Sequence, residues 1–387
     1  MTITSTISPA VIICLRFFGL WPGVSYSIIK WLSFVLIMLV IQYFQYLYIF
    51  DHLEINELSN LVDGSVLTLY YSLTIFKLTN LWIHRRVLHK ILADMDNDWR
   101  ECVNVDQHLH IMTIKANVSY IFSNGLLSLC MIATALFAFG DYVIRFIFVT
   151  EHYNDTVWQF PIKIQFPVEY TQSPMVEFLV IAVSLYVILH VCTISILNGF
   201  MFNLVLHLSG QVDIICQEFE NISKNILLHK FSIPSFGMLI EKHNKVILFS
   251  ENIEQLFSFI GLMQIVWITL VICSLGFVLI ISIHNETGVF ALVKTMIAYF
   301  TVVMEVFMIC FSGEYLSSKG KSIAKATYEM PWYDMPSNQS KILIFIMMRS
   351  QKRLAITAGK MMDMSFETFT SIMKASVSYV SVLYAMY

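Results

Sequence analysis

The sequence predicts an all-α, seven-transmembrane helical protein. Its N-terminus is expected in the cytoplasm and its C-terminus outside, with helices extended into a cytoplasmic anchor bundle. Three observations predict this: a composition too apolar for a water-soluble body, seven apolar runs of bilayer length, and a lopsided placement of Lys and Arg. Of 387 residues, 57% are hydrophobic and only 13% charged, with 30 Phe and 18 Tyr. Soluble domains carry roughly 25% charged residues. A net charge of −3 offers no electrostatic footprint for nucleic acid.

A bilayer-spanning helix needs about 20 apolar residues. Runs that meet this are Trp31–Phe50, Leu61–Ile83, Val118–Gly140, Phe178–Leu206, Leu256–Ile283, Val289–Gly313 and Glu367–Tyr387. The first carries no charge. The second holds Asp63 near one end and Lys77 towards the other, the sixth holds Lys294 and Glu305, and the last holds Lys374. Before them, Ser8–Gly23 is too short to span and reads as an interfacial segment, with Trp21 as anchor and Pro22-Gly23 as a break. It does not read as a signal peptide, because Arg16 follows the apolar stretch instead of preceding it.

Orientation follows from the basic residues. Arg16 and Lys30 precede the first run; five fall after the second, four between the fourth and fifth, and eight between the sixth and seventh. The opposite side holds only Arg145 and Lys163. By the positive-inside rule the N-terminus is cytoplasmic. Sequons at Asn154 and Asn285 then fall outside as glycosylation candidates, although Asn221 and Asn338 match the same pattern on the inner side. The division expected is 1–30, a cytoplasmic segment; 31–313, six membrane helices; 314–366, a cytoplasmic segment; and 367–387, a last membrane helix.

Several classes are disfavoured. No Asp-Arg-Tyr follows the third run, no Asn-Pro-x-x-Tyr lies in the seventh, and no proline sits in a span core, so a G-protein-coupled receptor fits poorly. An intramembrane enzyme lacks its catalytic set: no Gly-x-Ser-x-Gly and no His-Glu-x-x-His occurs, and His190 stands alone as an expected interhelical hydrogen bonder. The seven cysteines form no disulfide framework and no Cys/His metal spacing, so they read as small core hydrophobes and no metal or cofactor is expected. A transporter with paired broken helices is weakly supported. A receptor or channel remains. Apolar stripes at helical spacing (Ile214, Ile215, Phe219, Ile222, Ile226; then Leu239, Ile240, Val246, Ile247, Ile253, Leu256) run straight into the spans, so the membrane helices continue into the cytoplasm as amphipathic rods.

The last 78 residues carry a specific resemblance. Gly313-Glu314 with Leu316 and Ser317, the run of Ala326, Tyr328, Trp332 and Tyr333, Arg349-Ser350-Gln351, Ala358-x-Lys360, Ser365-Phe366, and the ending Lys374-x-Ser376-x-Ser378-Tyr379 are similar to the C-terminal signature of insect odorant receptors. "GLWP", "DMDNDW" and "LSGQVDIICQEF" are also like that family. The resemblance implies an odorant-gated cation channel in the plasma membrane of olfactory neurons. It also implies a tetramer in which a tuning subunit assembles with a shared co-receptor. Only about 45 residues separate spans four and five, so the chain resembles a tuning subunit. The resemblance places the subunit anchor near Asn338–Ile356, with Trp332, Tyr333, Arg349 and Gln351 as candidates. A gustatory-type channel working without a co-receptor is the alternative.

On the last helix Ser371, Lys374/Ala375, Ser378, Ser381/Val382 and Ala385 share a narrow, small, hydroxylated face. By spacing alone this is either a tight helix contact or a wet wall. The resemblance implies the pore, with Val382 as gate, Ser378 and Ser381 below it and Ala385 above. It places an odorant pocket in the outer halves of spans two to six. Candidates there are Val66, Tyr70 and Tyr71; Ala133, Phe137 and Gly140; Val180 and Ser184; and Tyr299, Phe300 and Val303, ordinary helix packing being the alternative for each.

Overall fold

The computed structural model describes residues 5–53, 58–147, 160–166, 175–227, 234–284 and 289–386. Among them are ten α-helices and one small hairpin: α1 (Pro9–Phe17), α2 (Ser27–Asp51), α3 (Leu58–Ile83), α4 (Arg85–Val103), α5 (Asp106–Ile147), α6 (Met175–Leu227), α7 (Pro234–His284), α8 (Val289–Tyr328), α9 (Ser337–Ser350), β1 (Thr357–Ala358), β2 (Met362–Asp363) and α10 (Phe366–Met386). Each apolar run falls on one of α2, α3, α5, α6, α7, α8 and α10. Five of these, α2 and α5 to α8, are long and apolar enough by themselves to cross a membrane. α3 and α10 complete the bundle by packing along α7.

Four helices far exceed the bilayer. α6 has 53 residues and α7 has 51, about 80 and 77 Å at 1.5 Å per residue. The apolar stripes beyond the spans explain the surplus length: Ile214, Ile215, Phe219, Ile222, Ile226, Leu239, Val246, Ile247, Ile253 and Leu256 are all buried, and only Ile240 faces out. The largest core cluster forms there, around α1, α4, α6, α7, α8 and α9. Short α1 joins it because Ser8 caps its first turn, accepting from the Val11 amide at 3.4 Å, and Pro9 sits where no backbone donor is needed. α4 joins it through Leu88, Ile91, Leu92, Met95, Trp99 and Cys102, spaced three or four apart on one face. In the apolar windows, 56% of α6 is buried but only 22% of α2 and of α5. α6 is therefore the central pole, and α2 and α5 stand at the periphery.

Beyond the apolar spans, Asp213 of α6 ties α5 to α8. Its carboxylate accepts from Lys115 at 2.8 Å and Lys319 at 2.7 Å. Lys115 also donates to the Tyr315 hydroxyl at 3.0 Å. Burial opposes the charged form of Lys115, but these hydrogen bonds outweigh it and hold its ammonium above the ordinary value. Replacing Asp213 by Asn leaves two ammonium groups facing one another and is expected to cost about 2 kcal/mol in thermal unfolding. Because the folded pKa is raised, the linked contribution is fully present at neutral pH and fades only at alkaline pH, as Lys115 deprotonates.

The hairpin fixes the foot of α10. Thr357 pairs with Asp363 and Ala358 with Met362, the turn using positive φ at Gly359 and Lys360. α7 holds the hairpin: the Thr357 amide and hydroxyl donate to Glu254, and the Gly359 amide donates to the Ser258 carbonyl at 2.8 Å. α10 then rises with Ile372 and Ser376 buried, and Val380 lies against Gly276 of α7.

Candidate functional site

An apolar cavity of 210 Å³ lies within the membrane part of the bundle, walled by α3, α5, α6, α7 and α8. An apolar cavity of roughly 150 Å³ already holds benzene, so this one has room for a ring with a short substituent. α3 supplies Val66, Tyr70 and Tyr71; α5 supplies Ala133, Thr134 and Phe137; α6 supplies Val187, Val191 and Ile194; α7 supplies Val271 and Leu275; α8 supplies Ile297, Ala298 and Thr301. A wider cleft of 440 Å³ adjoins it along the α5–α8 seam, sharing Ala133, Ile194 and Thr301 and reaching the exposed Leu129, Ile132 and Phe300.

Five candidate pocket residues therefore line the same cavity: Val66, Tyr70 and Tyr71 from α3, and Ala133 and Phe137 from α5. Phe300 borders the adjoining cleft. Gly140, Val180 and Ser184 are buried elsewhere in the bundle, and Tyr299 and Val303 pack against the α3–α7–α8–α10 cluster. The α6 part of the wall lies deeper than Ser184, and the α8 part is the adjacent face of that helix. Lys294 also lines the cavity, with its ammonium 4.3 Å from the Phe137 ring centroid. His190 departs from expectation. Neither ring nitrogen has a hydrogen-bond partner among the described residues; the ring stacks on Tyr71 at 4.3 Å and meets Tyr186 edge-on at 4.4 Å.

The cavity floor holds a polar cluster that no local sequence signal announces. Glu305 of α8 accepts from Tyr70 at 2.7 Å, from Lys77 at 2.9 Å and from Gln264 at 2.9 Å, and Lys77 also donates to Asn198 at 3.1 Å. Both charged side chains are under 5% exposed. Isolated charges at this depth are costly; here each is compensated, and four helices, α3, α6, α7 and α8, are joined at one point. Lys77 and Glu305 are 228 residues apart, so only the fold brings them together.

α8 continues from the cavity to α10. Phe307 contacts Phe366 and Phe369 at the foot of α10, ring centroids 5.9 and 5.7 Å apart. On α10, Ser371, Lys374, Ser378, Ser381, Val382 and Ala385 are all exposed, whereas Ile372, Ser376 and Val380 face the bundle. The small, hydroxylated face is thus uncovered within the protomer. In the anchor region Trp332 and Tyr333 are exposed and meet edge-on at 5.8 Å. Arg349 reaches Glu251 at 3.6 Å, and Gln351 caps α9, donating its amide to the Met347 carbonyl at 3.2 Å. Exposed Ile344, Phe345 and Met348 give α9 an uncovered apolar face. Asn154 and Asn285 lie outside the described residues.

Long apolar helices packed around an apolar cavity are the architecture of a multi-pass membrane protein. The family described as "7tm Odorant receptor" matches residues 57–377, and the chain belongs to that family. Among curated proteins, it is 28% identical to Odorant receptor 10 of Aedes albopictus over 151 residues, 38% of this chain and 39% of that one. It is 25% identical to Odorant receptor 22c of Drosophila melanogaster over 208 residues, half of each chain. It is 25% identical to Odorant receptor 13a of the same fly over 244 residues, 59% of this chain and 58% of the relative. The matched stretches thus span about two fifths to three fifths of these relatives. The fold is that of the insect olfactory receptor OR5 from Machilis hrabei, with a TM-score of 0.82 at 14% identity over 96% of both chains. The same receptor in complex with eugenol also aligns with a TM-score of 0.82, at 13% identity over 97% of both chains.

Proposed function

We propose that this chain is the odorant-binding subunit of a ligand-gated, non-selective cation channel. It would sit in the plasma membrane of olfactory sensory neurons with its N-terminus inside, assembled as a tetramer with a co-receptor through Trp332, Tyr333, Arg349, Gln351 and the apolar face of α9. The odorant would occupy the α3–α5–α6–α7–α8 cavity, binding mostly through buried apolar area, and cations would pass along the uncovered face of α10.

One observation carries the reading: a single helix, α8, lines the cavity with Ile297, Ala298 and Thr301 and then packs Phe307 on the foot of α10. A ligand that fits the cavity better when α8 is displaced shifts the population towards that state, and Phe307 carries the displacement to α10. Val382 of each copy of this chain in the tetramer would help close the pore by dewetting, with Ser378 and Ser381 keeping the remainder wet. Ala298→Trp, which fills the cavity, is expected to lower odorant-evoked current at least tenfold with surface expression retained. Val382→Ala is expected to raise the resting leak. Patch-clamp recording of both variants with a co-receptor checks the pair. Unchanged evoked current in the first would remove the cavity from the account, and unchanged leak in the second would remove the gate.

A further inference from the structure

The hydroxyl groups on the cavity wall share one feature. Thr134 donates to the Cys130 carbonyl at 2.7 Å, Ser195 to the Val191 carbonyl at 2.8 Å, and Thr301 to the Ile297 carbonyl at 2.8 Å. A carbonyl only accepts, so each proton lies on the helix side of its oxygen. Tyr70 donates to Glu305 at 2.7 Å. This carboxylate is held ionised by Lys77 at 2.9 Å, so the Tyr70 proton is committed as well. Four wall residues, from α3, α5, α6 and α8, therefore have their protons engaged and only acceptor lone pairs left for a cavity occupant. The other wall groups do not offset this. The Lys294 ammonium lies over the Phe137 ring and within the field of Asp63. The Cys130 thiol is a weak donor. The Tyr71 side chain is 1% exposed, its ring packed on His190 and Tyr186.

From this geometry we infer that the cavity selects a small, mainly apolar molecule that carries one hydrogen-bond donor, an alcohol or a phenol, over ethers, esters, aldehydes and hydrocarbons of the same shape. The inference rests on the reading that the cavity is the ligand site. An ether or aldehyde brings only an acceptor to these oxygens and forms no hydrogen bond with them. An alcohol or phenol can place its one proton on one of them. Sites built around a hydroxyl reject analogues that lack it more strongly than apolar pockets reject a missing methylene.

The test uses the full-length receptor in lipid nanodiscs, with p-cresol, its isostere p-xylene and the one-carbon-larger 4-methylanisole as probes and ligand-dependent thermal unfolding as the readout. p-Cresol is expected to bind about tenfold more tightly than either of the others, the yield of one well-placed hydrogen bond plus relief of unpaired acceptors. Tyr70→Phe and, independently, Thr301→Val are each expected to weaken p-cresol severalfold while leaving p-xylene unchanged. A merely structural role would weaken all three probes together. Equal affinity for the three, or preference for 4-methylanisole, would overturn the donor rule and leave the cavity as ligand site. Binding of none of the three would overturn both, as would binding unaffected by Ala298→Trp.

Discussion

Replacing Lys77 by methionine is expected to destabilise the protein by about 3–5 kcal/mol, the cost of leaving a buried carboxylate without its counter-ion. Glu305 would keep Tyr70 and Gln264 as donors, but two neutral hydrogen bonds do not compensate a charge at this depth. Glu305→Leu alone is expected to be similarly damaging, because it strands the Lys77 ammonium with only Asn198. The pair Lys77→Met with Glu305→Leu is expected to recover most of the loss, since an apolar replacement of both partners removes the desolvation cost along with the attraction. Thermal unfolding of the four proteins in nanodiscs measures the coupling. Additive losses would show that the two residues do not act as a pair. The cluster ties α3, α6, α7 and α8 directly beneath the cavity, so the single variants are also expected to blunt any response to ligand.

The second large effect is expected at Gly313, one of the positions that carry the family resemblance. A Cβ there would collide with the main-chain carbonyl oxygen of Met364, and the side chain of Met364 lies 2.8 Å away as well. A flexible side chain could turn aside, but a backbone carbonyl in the hairpin cannot. The Met364 amide is bonded to the Ile356 carbonyl at 2.9 Å, and the hairpin is bonded to α7 through Glu254 and Ser258. Gly313→Ala must therefore push the hairpin and the start of α10 off α8. The expected cost is about 1–3 kcal/mol, the usual range for overpacking, and because the displaced element is the root of α10, evoked current should fall more than surface expression does. Gly276→Ala is the milder companion: its Cβ would meet only the Val380 side chain, at 2.8 Å. Equal stability and current for wild type and Gly313→Ala would exclude this role.

These two sites mark what was legible in the sequence and what was not. Seven helices could be placed because a bilayer imposes a length and an apolarity on each. The extensions beyond the spans were legible from the stripes through Ile214–Ile226 and Leu239–Leu256. The family resemblance pointed to the outer halves of the spans, and Val66, Tyr70, Ala133 and Phe137 from that region do line the cavity. Rotation of one helix against another is set by packing partners distant in sequence, so the face of α8 presented to the cavity, and the depth of the α6 contribution, were not legible. The same holds for Lys77 and Glu305. Each reads alone as a charge inside an apolar run, and 228 intervening residues hide the pairing. The hairpin between Thr357 and Asp363 is two residues per strand, too short for any periodicity to reveal.

The central claim, that ligand in the α3–α8 cavity opens a pathway along α10, is tested most directly by Ser381→Cys. Its position is exposed on the small-residue face, next to Val382. The measurement is the rate at which a charged, water-soluble thiol reagent applied from outside reduces current in cells expressing the variant with a co-receptor. The parent chain, whose membrane cysteines Cys130, Cys273 and Cys310 are buried and Cys192 partly buried, serves as control. The expected result is progressive block of the variant, faster when an activating volatile is present, and abolition of that acceleration by Ala298→Trp. A current that flows unaltered by the reagent would contradict the claim.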